Sequence, residues 1–359
     1  MRLKKYSAEL AREFITSSPD FEKDLVIDDI DDKHKGIVSS AYSQSEVDDA
    51  YWENFRNWSG QGDGLAPVDL FVDVLGASRS FKNLVRYIHA KIFRSLRERF
   101  FWSTLHDDIE IIKNIGALPL LSDNPISSTP NPGNYCLIDG LEINQRWARY
   151  IYLLKRILDE KLLTDNNIWV DIGPFYGGLQ GLLKKYVPDS RIVLVDFHHQ
   201  LCRSYIYLKT IYPDTIHILP SQVKNYTDLS KLPKNSILYL PASYFTEVEQ
   251  NKVDLVTNFF SLGEMRRTHF KGYMDSRLFR EAKKTYLVNR FVSAPFFEKT
   301  YDSDINFFDY HFDQRLVDYF EIFPMHHYQL IERKVLNRVE FRNTSSSYFE
   351  LITSKSKKD

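Results

Sequence analysis

The stretch that most constrains this chain runs from residue 168 to 197. It opens as Ile168-Trp-Val-Asp-Ile-Gly173 and continues as Pro-Phe-Tyr-Gly-Gly178-Leu-Gln-Gly-Leu-Leu-Lys-Lys-Tyr186. It closes with Arg191-Ile-Val-Leu-Val-Asp196-Phe197. An apolar run ends in Asp171 and Gly173, and a glycine-bearing turn follows. A helical pattern then leads to a second apolar run that ends in an acid. This order predicts strand, turn, helix and strand, a βαβ unit suited to a nucleoside-like cofactor.

The chain around this unit alternates. Apolar runs predict strands at 168–173, 191–196, 237–241, 253–258 and 285–290, with helical patterns at 178–186, 199–211 and 267–283. Strands separated by helices predict a mainly parallel sheet with right-handed crossovers. Residues 328–335 and 348–353 read as two further strands joined by a polar stretch, an antiparallel pair closing one edge. Upstream, 141–158 has a strong helical pattern, and the proline-rich run 124–133 reads as a linker. These features divide the chain into a helical N-terminal domain, 1–134, and a cofactor domain, 135–359.

Within the N-terminal part, 6–15 has helical spacing and the acid run 28–32 reads as a solvated loop. Trp52, Phe55 and Trp58 share one helix face by their three-residue spacing, and the glycines of 60–64 mark a loop. Residues 81–101 form a basic amphipathic helix pattern. Packing on the protein body is the expected use of that face, and peripheral membrane contact is the second reading.

The totals exclude several classes. Hydrophobic residues make up 43% and charged residues 26%, the balance of a soluble globular chain. The net charge of -1 supplies no field to gather nucleic acid, so no nucleic-acid partner is expected. Cys136 and Cys202 have no metal spacing and no disulfide framework, which fits a reducing cytoplasm. No apolar run approaches the ~18 residues of a membrane span, and the N-terminus lacks a signal-like apolar core. Homo-oligomerisation is left open.

The glycines Gly173, Gly177, Gly178 and Gly181 do not have the G-x-G-x-x-G spacing of a nicotinamide site. Their order after Asp171 instead resembles motif I of class I S-adenosylmethionine (SAM) methyltransferases, D/E-x-G-x-G-x-G. Asp196 ends the second strand, where an acid accepts from both ribose hydroxyls. Residues 253–265 read Val-Asp-Leu-Val-Thr-Asn258-Phe-Phe-Ser261-Leu-Gly-Glu264-Met265, and Asn289-Arg290 lies at the fifth strand. Together these resemble the sugar O-methyltransferase family of bacterial surface-polysaccharide clusters, over about residues 130–355. The resemblance implies a Rossmann-like α/β fold: a mainly parallel seven-stranded sheet with an antiparallel C-terminal edge strand. It also implies SAM as cofactor and a sugar or glycan acceptor. The chain departs from the pattern twice. Phe175 replaces the middle glycine of motif I, and Leu262-Gly263 replaces the family's Phe-Gln before Glu-Met. A Cβ at residue 175 stands where backbone usually meets the cofactor, so Phe175 either turns aside or blocks SAM.

Under this resemblance, Asp171, Gly173, Phe175, Gly177 and Gly178 border the methionine end of SAM. Asp196 takes the ribose, while Phe197 and Ser243 border the adenine. Asn258 and Ser261 lie beside the methyl group. A sugar hydroxyl needs a base as it attacks. Glu264 is the acidic candidate, and His311, His326 and His327 are the histidine candidates, in a long segment after the fifth strand that also carries Asp309, Tyr310 and Arg315. No metal is assigned, because no ligand spacing compels one. Two rival readings remain: a silent methyltransferase-fold scaffold in glycan assembly, with Phe175 blocking SAM, and a methyltransferase for a non-sugar small molecule.

Overall fold

The computed structural model describes residues 4–18, 105–129, 135–249, 253–293, 304–311, 315–325, 331–334, 338–341 and 347–356. The acid run 28–32, the aromatic stripe 52–58, the glycine loop 60–64, the basic helix pattern 81–101, His326 and His327 lie outside the described residues. Among described residues, 105–156 with 324–341 cluster into one compact unit, and the remainder form a second.

The smaller unit carries helix α2 (105–114), α3 (Leu118–Ser122), strands β1 (Cys136–Ile138) and β2 (Leu141–Ile143), and the start of α4 (Gln145–Asp159). The helix expected over 141–158 therefore starts later. Asp139 and Gly140 both take positive φ, 51° and 80°, and turn β1 tightly into β2. Asp-Gly is the residue pair such a two-residue hairpin favours. Asn144 then ends the hairpin, its side chain accepting from Trp147 N at 2.8 Å. The Trp147 indole donates to Asn124 O at 2.8 Å, tying α4 to the proline-bearing run before β1.

The larger unit holds α1 (Lys4–Thr16) and the main sheet. Its strands and helices in order are β3 (Ile168–Ile172), α5 (Gly178–Tyr186), β4 (Arg191–Asp196), α6 (His198–Ile211), β5 (Ile216–Ile218) and β6 (Ser236–Pro241). They continue as β7 (Leu255–Phe259), α7 (Arg267–Met274), α8 (Arg277–Glu281), β8 (Lys284–Arg290), β9 (Val292–Ser293), β10 (Ile305–Asn306) and β11 (Leu316–Ile322). A hairpin of β12 (Ile331–Lys334) and β13 (Arg338–Phe341) precedes β14 (Tyr348–Ser354), and belongs to the smaller unit.

The main sheet runs β11-β14-β8-β7-β3-β4-β6-β5. Leaving out the three-residue β5, the chain-order numbers read 3-2-1-4-5-7-6 from the β6 side, with the seventh strand reversed. That is a doubly wound, Rossmann-like α/β sheet. β3 is buried along its whole length and β4 through its centre, as strands covered on both faces must be, and this produces their near-continuous apolar runs.

Three sequence expectations fail here. The antiparallel partner of 348–354 is β11, not residues 328–335, whose central part instead joins the separate β12–β13 hairpin. The reversed strand is also not the edge, because β11 lies outside it. The single helix expected over 267–283 divides into α7 and α8 at Asp275–Ser276, where Ser276 Oγ accepts from Phe279 N and starts α8.

Helix α1 packs on α6 through Phe14, whose ring lies 5.7 Å from that of Tyr205 and 5.9 Å from that of Tyr239. His217 completes this cluster. Its Nδ1 accepts from the Tyr239 hydroxyl at 2.9 Å, and its Nε2 donates to Tyr212 O at 3.0 Å.

Candidate functional site

The carboxyl ends of β4, β3, β7 and β8 lie side by side, and the residues that follow them converge there. The register pairs Ile172 with Val195 on one side and with Asn258 on the other. This sets Gly173, Asp196 and Asn258 on adjacent strand ends, in a sheet whose strands are spaced ~4.8 Å apart. Asp196 pairs with Pro241, and Ser243 is exposed in the turn after it. The cleft beyond such strand ends is where an open α/β sheet takes a nucleotide-like ligand.

Gly173 has φ +73°. A Cβ there would lie 2.3 Å from Ser261 Oγ, so the turns after β3 and β7 close on one another only because residue 173 is glycine. Gly177 has φ +88°, and a Cβ on it would meet Leu208 at 3.0 Å. It stands just before α5, whose first residue is Gly178, so no side chain covers the backbone at these two positions. Free N–H groups at such a start favour an anionic or electron-rich ligand.

Phe175 turns aside. It adopts φ 58°, its carbonyl accepts from Ser204 Oγ at 2.7 Å, and its ring lies under the Arg203 guanidinium at 4.5 Å. The Tyr176 ring meets it edge-on at 5.4 Å. The phenyl group is thus engaged with α6, and a cation–π contact fixes it there.

Asp171 is 2% exposed, and its two oxygens accept from Thr257 Oγ1 and from Gln180 Nε2. Thr257 Oγ1 in turn accepts from the Trp169 indole at 2.7 Å. Burial pushes the Asp171 carboxyl up to about 7, against the pull of its two donors, and Asp196 adds to the rise. Asp171 therefore braces α5 and β7 from beneath the glycine turn. Asp196 is half-buried, with Oδ1 accepting from Phe197 N at 2.8 Å; Phe197 precedes α6 in extended conformation.

Asn258 is fully buried and saturated. Its Nδ2 donates to Ile172 O at 2.7 Å and to Ser261 Oγ at 2.6 Å. Its Oδ1 accepts from Leu262 N at 3.1 Å and from Asn289 Nδ2 at 3.0 Å. With two donors and two acceptor positions used, this amide fixes the turn and has no capacity left for a ligand. Phe260, between Asn258 and Ser261, holds φ 70°, a strained conformation for a bulky residue. Its ring is pinned edge-on by Phe323 at 5.4 Å and Tyr348 at 5.2 Å.

Glu264 lies on the same turn, 3.7 Å from Arg290 at the end of β8. Arg290 Nε donates to Tyr348 OH at 2.9 Å. No side chain caps the start of α7, so capping that helix is not the work of Glu264. His311 follows the short helical turn 307–310. It is half-exposed in left-handed backbone, with Nε2 3.0 Å from Asp275 Oδ1 at the end of α7. Arg315, read from sequence as part of an acceptor segment, is a clamp. Its guanidinium donates to Thr353 Oγ1 at 2.6 Å, Phe279 O at 2.7 Å and Ala282 O at 2.8 Å.

No family model and no curated protein matches this chain. Among solved structures, the small RNA methyltransferase HEN1 matches 60% of this chain and 26% of its own length, at 14% identity and a TM-score of 0.35. The chain thus spans about a quarter of that protein. Geranyl diphosphate C-methyltransferase from Streptomyces coelicolor A3(2) matches 58% of this chain and 79% of its own, at 9% identity and a TM-score of 0.36. Magnesium protoporphyrin IX methyltransferase from Synechocystis PCC 6803 matches 59% and 80%, at 11% identity and a TM-score of 0.34.

The bracing residues not singled out from sequence are Gln180, Thr257 and Arg203, while Asn289 and Arg290 were read only as a pair in the family resemblance.

Proposed function

We propose that this protein is a SAM-dependent O-methyltransferase whose acceptor is a sugar hydroxyl of a nucleotide sugar or surface glycan. The observation that carries the methyltransferase reading is the junction at the strand ends: a turn with glycines at 173, 177 and 178 beside Asp196, in a sheet ordered 3-2-1-4-5-7-6. The residues present fit the cofactor. Gly173, Gly177 and Gly178 would admit its methionine end, Asp196 would accept from the ribose hydroxyls, and Phe197 and Ser243 would border the base. Bound SAM supplies an electrophilic methyl group with a neutral thioether as leaving group.

The chain's own part is to hold the acceptor oxygen in line and to receive its proton. Glu264 is our candidate for that proton, because its turn is fixed by Asn258 and its carboxylate is oriented by Arg290. His311, His326 and His327 remain secondary candidates. The sugar class rests on the resemblance of residues 253–265 and 285–291 alone. The engaged ring of Phe175 lends no support to the silent-scaffold reading. We assign the catalytic module to 135–359 and keep 1–134 as a separate N-terminal part.

Incubating the purified protein with methyl-labelled SAM and a panel of nucleotide sugars, glycans, phenols and amines tests this function. Label on a sugar hydroxyl, lowered ~10²–10⁴-fold by Glu264→Gln, is the expected result. Label confined to a phenol or amine would overturn the substrate class.

A further inference from the structure

Ser293 and Tyr310 pack against Gly263, in the turn that carries Glu264. A Cβ on residue 263 would lie 2.3 Å from Ser293 Oγ and 3.5 Å from Tyr310 OH. Both side chains are 3% exposed, and neither hydroxyl has a hydrogen-bond partner. Their positions are set by other forces. Ser293 is held by pairing with Ile305. The Tyr310 ring is gripped edge-on by Phe270 at 4.9 Å and Phe349 at 5.0 Å. Asn289 Oδ1, on the same strand end, is a third buried oxygen with nothing to accept from.

Buried hydroxyls in native proteins are paired almost without exception, with water where protein groups do not reach. Both oxygens flank one point, 2.3 Å and 3.5 Å from it, so they lie no more than about 5.8 Å apart, within the reach of a single water making two hydrogen bonds of up to ~3.0 Å. The ligand is neutral: two hydroxyls both donate and accept but offer no charge to offset the burial of an ion. Gly263 is part of the arrangement, since any side chain at that position would drive Ser293 away.

We propose that Ser293 Oγ and Tyr310 OH hold one trapped water molecule beside Gly263. This water anchors the Glu264 turn to the segment after β8, and Ser293 and Tyr310 act as positioning residues for it. The site is independent of any methyl acceptor, so it stands or falls apart from the methyltransferase reading.

A crystal structure of the full chain at ~1.8 Å tests it directly. One ordered oxygen peak ~2.6–3.2 Å from both hydroxyls is expected. Two hydroxyls bonded to each other, or to backbone, with no peak between them would overturn the proposal. Thermal unfolding of Ser293→Ala, Tyr310→Phe and the double variant gives a second readout. Groups sharing one water are coupled, so each single variant should lower the midpoint by ~2–5 °C and the double by little more than one single. Losses that simply add would count against a shared water.

Discussion

Asn258 shows how a residue can belong to a site without touching a ligand. Its amide joins the ends of β3, β7 and β8, and replacement by alanine leaves Ile172 O, Leu262 N and Asn289 Nδ2 without that partner. Unmade buried hydrogen bonds cost ~1–3 kcal/mol each, partly relieved by relaxation. We therefore expect Asn258→Ala to lose ~2–4 kcal/mol of stability, read from the urea midpoint. His217 makes a pH-dependent prediction. Burial pulls its pKa down from 6.5 to about 4, against the opposing effect of the Tyr212 carbonyl. The folded state keeps the ring neutral while the unfolded chain protonates it, so stability is full above pH 6.5 and falls as pH drops toward 4. Between pH 7.5 and 5.0 the wild type should lose ~2 kcal/mol more than His217→Phe, measured by urea titration at each pH. Equal losses in the two proteins would refute this assignment. At this scale the sequence was only partly legible. The turn at Gly173 and Gly177 and the strand end at Asp196 were legible because glycine turns and strand-end acids are local patterns. The hydrogen-bond partners of Asp171 and Asn258 were not, because Gln180, Thr257 and Asn289 are brought to them by helix packing and sheet register.

Among the elements, those buried on both faces were readable almost to the residue. β3, β4 and β8 are continuous apolar runs because helices cover them, and α5 was located between its glycines and Tyr186. β11 was missed because it is the outermost strand, exposed along most of its length, and mixes Asp318 and Glu321 with apolar residues. The β1–β2 hairpin carried an Asp-Gly signal that the strong helical pattern following it obscured. Arg315 joins two elements, the carboxyl end of α8 and strand β14, so its loss should act on both. Arg315→Ala should lower stability by ~2–4 kcal/mol, since it removes charge-assisted bonds to buried carbonyls. Arg315→Lys should recover only part of this, because one ammonium cannot span Thr353, Phe279 and Ala282 as a planar fork does. Thermal or urea unfolding of the two variants checks the order.

For the whole molecule, the sheet order and the strand-end cleft argue for a nucleoside cofactor, and the glycine spacing argues for SAM over a dinucleotide. None of the described helices is long and apolar enough to cross a membrane. Isothermal calorimetry of the full chain with SAM and with its demethylated product tests the central claim most directly. The account predicts saturable one-to-one binding below ~1 mM, weakened ~10–100-fold by Asp196→Ala while the fold is retained. No heat from either ligand at ~1 mM, with a folded protein in the cell, would contradict it.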